Sequence, residues 1–417
     1  MLPVKIHPPI IDAITACLKA IFEEQKVADK VVNFYLKEHK QFGSRDRSMI
    51  AETVYDIVRW KLKYQYLLAV SSEQLTKYRH LILVSLFVRN YDITNIETFE
   101  ATETDIARLK EFIRQPIAEK HIEQSYPESF YNFCLKNMGM QWHQIAAALN
   151  QKPGVFIRVN TLKTSRDEIV KLLEKEGIIF QPVDFLMEAN ESITSIQILS
   201  KNNLKNSSLY KQGLFEFQDI GSQAIGRFTV DAIPETTDLK NIRVLDLCAG
   251  AGGKTLHLSS LLKNQGRIFA TDYNPARIKQ LAFRATQAGC KNIEITDYND
   301  AKKMNEFDII LIDAPCSGSG TFKRQPDLKY KITPEKIQEY QLIQSSLLET
   351  CKNKLRRNGK IIYATCSVLP QENELQVQHF LKENPAFSAG KSKQLLPTEY
   401  DGDGFFMAEL IKQDAKN

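Results

Sequence analysis

The chain lacks the cysteine spacing of a disulfide-stapled or zinc-bound protein. Its 417 residues hold seven cysteines, at positions 17, 134, 248, 290, 316, 351 and 366. The number is odd, the spacings are wide, no CxxC pair occurs, and none of the seven histidines clusters with them. The expectation is therefore no disulfide framework, no metal, and reduced thiols in the cytoplasm. Long hydrophobic runs are also missing. LILVSLFV (81–88) is far too short to span a bilayer, and MLPVKIHPPIIDAI has neither the basic start nor the apolar stretch of a signal peptide. No membrane association is expected. Nor does one charge dominate: 55 Lys and Arg against 50 Asp and Glu leave +5, which permits a nucleic-acid partner without demanding one. Repeats and low-complexity tracts are absent.

What is present is organised in three sections. The length is too great for one core. Residues 1–140 read as all-α: Ile10, Ile11, Ile14, Cys17, Leu18 and Ile21 recur at helical spacing, as do Ile50, Val54, Ile57 and Val58 after GSRDRS (43–48). That loop is a helix-capping turn or, through Arg45 or Arg47, a phosphate contact. Residues 141–212 read as a linker and small α+β module, with a strand in PGVFIRVNTLK (153–163) and a helix in SRDEIVKLLEKEGI (165–178) capped by Ser165. Arg158 and Asn160 fall on that strand, on a solvated face or, for Arg158, against RNA.

Residues 213–417 change character. IRVLDL, RIFATD, NIEITD, FDIILIDA and KIIYAT are short apolar runs separated by helical stretches, among them 333–355 with Thr333 as cap and Pro334 at the first helical position. This βαβ alternation predicts an α/β fold with a mostly parallel, doubly wound sheet.

The first of these strands ends in DLCAGAGGKT (246–255), where Gly250, Gly252 and Gly253 open the next helix. Such a turn borders the crevice at the carboxyl ends of the strands and lets a ligand approach the backbone. It matches neither GxGxxG nor GxxxxGK[ST], which argues against a dinucleotide or ATP. The second strand ends in Asp272, suited to ribose hydroxyls, and the third in Asp297, placed to reach an adenine amino group. A phosphate-free nucleoside suits acids better than a dinucleotide does, and S-adenosylmethionine is such a cofactor. The fourth and fifth strands end in IDAPCSGSG and ATCSVLP, so Cys316 and Cys366 should converge although fifty residues separate them. A lone cysteine is more often a small buried hydrophobe. Two at one crevice suggest covalent catalysis. Adding a thiolate to carbon 6 of a pyrimidine makes carbon 5 nucleophilic, a second thiol can assist release, and Asp313 is placed at ring nitrogen 3. Lys254 would lower a thiol pKa or hold a carboxylate in place.

DLCAGAGGKT, ATDYNPARIKQL, FDIILIDAPCSGSGTFKRQPDLKY, YATCSVLPQENE and the closing DGFFMAEL together resemble the RNA (cytosine-5) methyltransferases of the RsmB/Sun family, over 210–412. GSRDRSMIAETVYDIVRW (43–60) resembles the NusB-type RNA-binding domain of many members. The resemblance implies a class I, Rossmann-like methyltransferase domain using S-adenosylmethionine. It implies Cys366 as nucleophile and Cys316 in product release. It implies a cofactor segment of Cys248, Ala249, Gly250, Ala251, Gly252, Gly253 and Lys254, with Asp272, Asp297 and Asp313. Gly250-Ala251 stand where many members carry Ala-Pro.

Residues 322–360 carry ten Lys and Arg against four Asp and Glu, so Lys323 and Arg324 beside the thiol loop are candidate phosphate contacts, joined by Arg158 and Arg45. Phe322 and Tyr330 are candidates for base stacking. The target cytosine should lie in a single-stranded or loop region. The expectation is a monomeric methyltransferase acting on small-subunit ribosomal RNA. The alternatives are transfer RNA, or a non-catalytic NusB-like RNA-binding or antitermination factor.

Overall fold

A computed structural model describes residues 3–71, 77–183, 194–200 and 204–413. The chain forms two compact units. The first comprises 1–151 together with 322–334, and the second 152–321 with 335–417.

The first unit is helical. Pro8–Phe22 begins with prolines at its first turn and buries Ile10, Ile11, Ile14, Cys17, Leu18 and Ile21, the stripe its spacing predicts. Ser44–Ser71 buries Ile50, Val54, Ile57 and Val58, and departs from helical geometry at Trp60. LILVSLFV lies in the helix Tyr78–Val88 and is buried almost throughout, which explains a helix apolar on every side. No helix among the described residues is long and apolar enough to cross a membrane. Two two-residue strands, β1 (Pro3–Val4) and β2 (Asp92–Ile93), pair in parallel.

The returning segment 322–334 is built into this unit. Phe322 is 1% exposed and packs against Tyr126 and Phe130, which in turn pack on Trp142. Lys329 is fully buried, with Nζ 2.6 Å from the Arg59 carbonyl oxygen and 3.0 Å from Asn150 Oδ1, and lies over the Tyr126 ring. Burial pushes its ammonium well below the ordinary lysine range.

The second unit holds two sheets. The smaller comprises β3 (Val155–Val159), β4 (Phe180–Pro182), β5 (Ser195–Ile198) and β6 (Phe215–Phe217), antiparallel in the order β4-β5-β3-β6. Its helix Arg166–Lys175 starts with a capping box between Ser165 and Glu168 and covers the sheet with Ile169 and Leu173.

The larger sheet has seven strands: β7 (Arg243–Asp246), β8 (Arg267–Ala270), β9 (Ile293–Ile295), β10 (Phe307–Asp313), β11 (Leu355–Thr365), β12 (Phe387–Leu395) and β13 (Phe405–Lys412). The order is β12-β13-β11-β10-β7-β8-β9. All pairs from β11 to β9 are parallel, and β13 runs antiparallel to both of its neighbours. The expected parallel α/β sheet is present, closed on one side by this antiparallel pair. β11 begins at Leu355, five residues before the apolar run that marks it in the sequence, because Leu355 pairs with Phe307 ahead of a register shift.

Candidate active site

Register aligns the strand ends. Leu311 of β10 pairs with Asp246 of β7, and Asp313 with Ala364 of β11. The loops that follow therefore open at one edge, where the second unit carries a cavity of about 880 Å³. Small-molecule sites commonly occupy about 300–1,000 Å³. Cys248, Ala249, Gly250, Ala251, Gly253, Lys254, Asp272, Asp313, Cys316 and Cys366 all line it. Gly252 lies behind the lining. It caps the following helix at φ +90°, and a Cβ there would sit 2.7 Å from Leu281 Cγ. Asp297 is exposed and caps the short helix Tyr298–Ala301 through the Asn299 amide, while the neighbouring Tyr298 ring lines the cavity instead.

The glycine turn fits a nucleoside cofactor. Cβ atoms built on Gly250 and Gly253 would meet nothing nearer than 4.0 and 3.9 Å, so backbone faces open space. Asp272 accepts from the Gly250 amide at 2.8 Å and from the Asn274 amide at 2.7 Å, which fixes a half-buried carboxylate at the rim. Beneath it, Asp246 is fully buried with its Oδ2 taken by the Thr255 hydroxyl at 2.7 Å and its Oδ1 without a partner among the described residues. Burial is the main cause that raises its carboxyl to about 7. Burial likewise pushes the Cys248 thiol up.

Opposite the turn are the two thiols. Their sulfurs are 3.2 Å apart. The loop after Asp313 is pinned to the loop after β11, because the Gly320 amide donates to the Cys366 carbonyl at 3.0 Å and the Val368 amide to Ser319 Oγ at 3.1 Å. Cys316 is raised well above the ordinary thiol range, first by its hydrogen bond to Cys366 and then by burial. At this separation either thiol can donate its S–H to the other sulfur. Lys254 Nζ lies 2.7 Å from Asp313 Oδ2. Burial alone would lower this ammonium, but Asp313 and the nearby Cys366 outweigh burial and raise it. Of the two roles considered for Lys254, holding a carboxylate is the one with a direct contact.

The expected RNA contacts divide. Arg45 is exposed in the first turn of its helix, and Arg324 is half-buried. Arg158 and Lys323 are each 2% exposed, so neither presents a cation to solvent, and Phe322 is core. The Tyr330 hydroxyl is 3.2 Å from Ser125 Oγ, within the first unit. Arg158 instead donates to the Gly253 carbonyl at 2.9 Å and to Gln218 Oε1. Beside it Arg284 donates to the Ala251 carbonyl at 2.6 Å and to Glu216 Oε2 at 2.7 Å. The small sheet thus supports the glycine turn from behind. Alternation along β3 could not show this, since its covering partner is distant in sequence. Reading the motifs also missed Gln218, Ser222, Tyr273, Arg277 and Tyr340, which line the cavity as well.

Comparison with known proteins decides the family. Residues 234–411 match the model of the 16S rRNA methyltransferase RsmB/F domain, and 126–190 match the ferredoxin-like domain of RsmF/B-like methyltransferases. "Ribosomal RNA small subunit methyltransferase B" of Photorhabdus laumondii is 32% identical over 322 residues, covering 73% of this chain and 72% of that protein. The chain belongs to the RsmB/F methyltransferase family. It is an S-adenosylmethionine-dependent methyltransferase. The namesake from Yersinia pseudotuberculosis is 33% identical over 304 residues, 70% of this chain and 65% of that protein. Among solved structures, a methyltransferase homolog protein from Pyrococcus horikoshii superposes with a TM-score of 0.60 at 26% identity, covering 70% of this chain and 97% of that one. NSun6 from Pyrococcus horikoshii, solved with SFG, shares the fold with a TM-score of 0.60 at 19% identity, over 70% of this chain and all of that one.

Proposed function

We propose that this RsmB/F-family protein methylates carbon 5 of a cytosine in small-subunit ribosomal RNA through a covalent adduct on Cys366. The observation that carries the reading is the pair of sulfurs 3.2 Å apart, facing the same cavity as the glycine turn and the Lys254–Asp313 pair. S-adenosylmethionine, held by Cys248–Lys254 and Asp272, supplies the methyl group. The chain's own residues prepare the base. Cys366 adds to carbon 6, which moves electron density to carbon 5. The proton that Cys366 gives up goes to ring nitrogen 3, where Asp313, fixed by Lys254, accepts the N3–H hydrogen bond and so favours the addition. After transfer the carbon-5 proton passes to solvent water, its bonding pair re-forms the carbon 5–carbon 6 double bond, the carbon–sulfur pair returns to the Cys366 sulfur, and the S–H of Cys316 steadies that departing sulfur. The helical front, residues 1–140, recruits the RNA, with Arg45 and Arg324 as phosphate contacts.

The test is trapping. Small-subunit RNA is incubated with S-adenosylmethionine and with wild type, Cys366→Ala or Cys316→Ala, and the mixture is denatured. Cys316→Ala should accumulate a denaturation-resistant protein–RNA adduct, Cys366→Ala none. The reverse pattern would exchange the two roles. No adduct in any variant, with no methyl transfer by wild type to any RNA, would sink the reading.

A further inference from the structure

We propose that Glu372 is a positioning residue of the methyl-transfer reaction, one buried carboxylate that clamps both cysteine loops. The inference rests on the proposed roles of Cys316 and Cys366. Glu372 is 0% exposed. Its Oε1 accepts from the Ser317 amide at 2.8 Å and from Gln344 Nε2 at 3.2 Å. Its Oε2 accepts from the Ser317 hydroxyl and, at 2.7 Å, from the Ser367 hydroxyl. Ser317 follows Cys316 and Ser367 follows Cys366, so one side chain ties together the residues next to both thiols.

All four of these bonds come from neutral donors. A buried carboxylate bonded on both oxygens is fixed in position. The Glu372 charge is among the influences that raise Cys316, after the hydrogen bond to Cys366, burial and the Cys366 charge. Lys254, across the cavity, interacts with the Cys366 charge. Tyr340 and Tyr363 also face this cluster, and both are raised, chiefly by burial. Glu372 thus acts on Cys316 through its charge, while its bonds to Ser317 and Ser367 hold the two cysteine loops in one register. The clamp is itself held, because the Tyr363 hydroxyl donates to the Glu372 carbonyl at 2.6 Å and Asn373 bonds to both Thr365 and the Ser367 carbonyl.

The test compares wild type with Glu372→Gln as full chains. Alkylation of Cys316 by iodoacetamide is followed across pH by peptide mass spectrometry with no RNA present, and kcat and the KM for S-adenosylmethionine are measured on small-subunit RNA. In the variant, Cys316 should react about 1 pH unit lower. Its kcat should fall about 100-fold through the loss of loop registration, with the KM for the cofactor unchanged. An unchanged Cys316 profile, or an unchanged kcat, overturns the proposal. Because the thiol profile needs no RNA, it reads the clamp even if wild type proves inactive, so the two failures are separable. Should Glu372→Gln not fold, by circular dichroism, Ser317→Ala and Ser367→Ala decide. Each removes one hydroxyl donor and should lower kcat about tenfold, and wild-type kcat in both overturns the clamp.

Discussion

The guanidinium of Arg158, on the small antiparallel sheet, donates to the main-chain carbonyl of Gly253 at the start of the helix that closes the glycine turn, 2.9 Å away. A fully buried cation thus meets the backbone on the side of the turn away from the cofactor. Burial lowers this guanidinium to about 10, and the nearby Glu216 resists the shift.

Arg158→Met should therefore weaken S-adenosylmethionine binding without touching the thiols. Hydrogen bonds to charged groups contribute about 1.5–3 kcal/mol, so the Kd should rise about tenfold or more. Calorimetric titration checks this. Cys316 alkylation, measured in parallel, should be unchanged. A wild-type Kd would mean that the turn is rigid without its support.

Asp246 predicts a pH-dependent stability. Its folded carboxyl sits at about 7, above an unfolded value near 4. Between these values the folded state holds a proton that the unfolded chain has released. Stability contributed by this group therefore falls as pH rises from about 4 to about 7, and stays low above that. Asp246→Asn keeps an acceptor for Thr255 and removes the titration. It should stabilise the cofactor-free protein by about 2 kcal/mol at pH 8 and have little effect at pH 4.5, read as Tm at the two pH values.

Gly320 predicts a steric effect. A Cβ there would lie 2.1 Å from the Gly404 carbonyl oxygen, where the Gly404 amide already donates to the Gly320 carbonyl at 2.8 Å. Backbone cannot yield cheaply on either side. Gly320→Ala should cost about 1–3 kcal/mol of stability. The displaced Cys316 loop should lower kcat about 100-fold, measured by methyl transfer at saturating cofactor.

The parts of this site written locally were legible before any coordinates. Apolar runs ending in Asp246, Asp313 and Cys366 identify strands, and βαβ order places their ends together. The helix cap at Ser165 is likewise local. What escaped depends on partners distant in the chain. Arg158 reads as a surface residue because alternation reports two faces of a strand but not what covers each. Lys323 and Lys329 inflate the apparent basic surface, because a count of charges carries no burial. Glu372 lies in a recognised motif, yet its meaning comes from Ser317, 55 residues earlier.

The return of 322–334 to the first unit has a consequence for biosynthesis. Translation finishes residues 1–151 long before Phe322 and Lys329 emerge, so the nascent helices wait with Tyr126 and Phe130 short of a neighbour they later pack against. Domains generally fold in order as they leave the ribosome, the N-terminal one first. Here the first unit can complete its interior only after most of the methyltransferase sheet has been made. A fragment cut at 151 is consequently not this unit but an incomplete form of it, with an aromatic surface left bare.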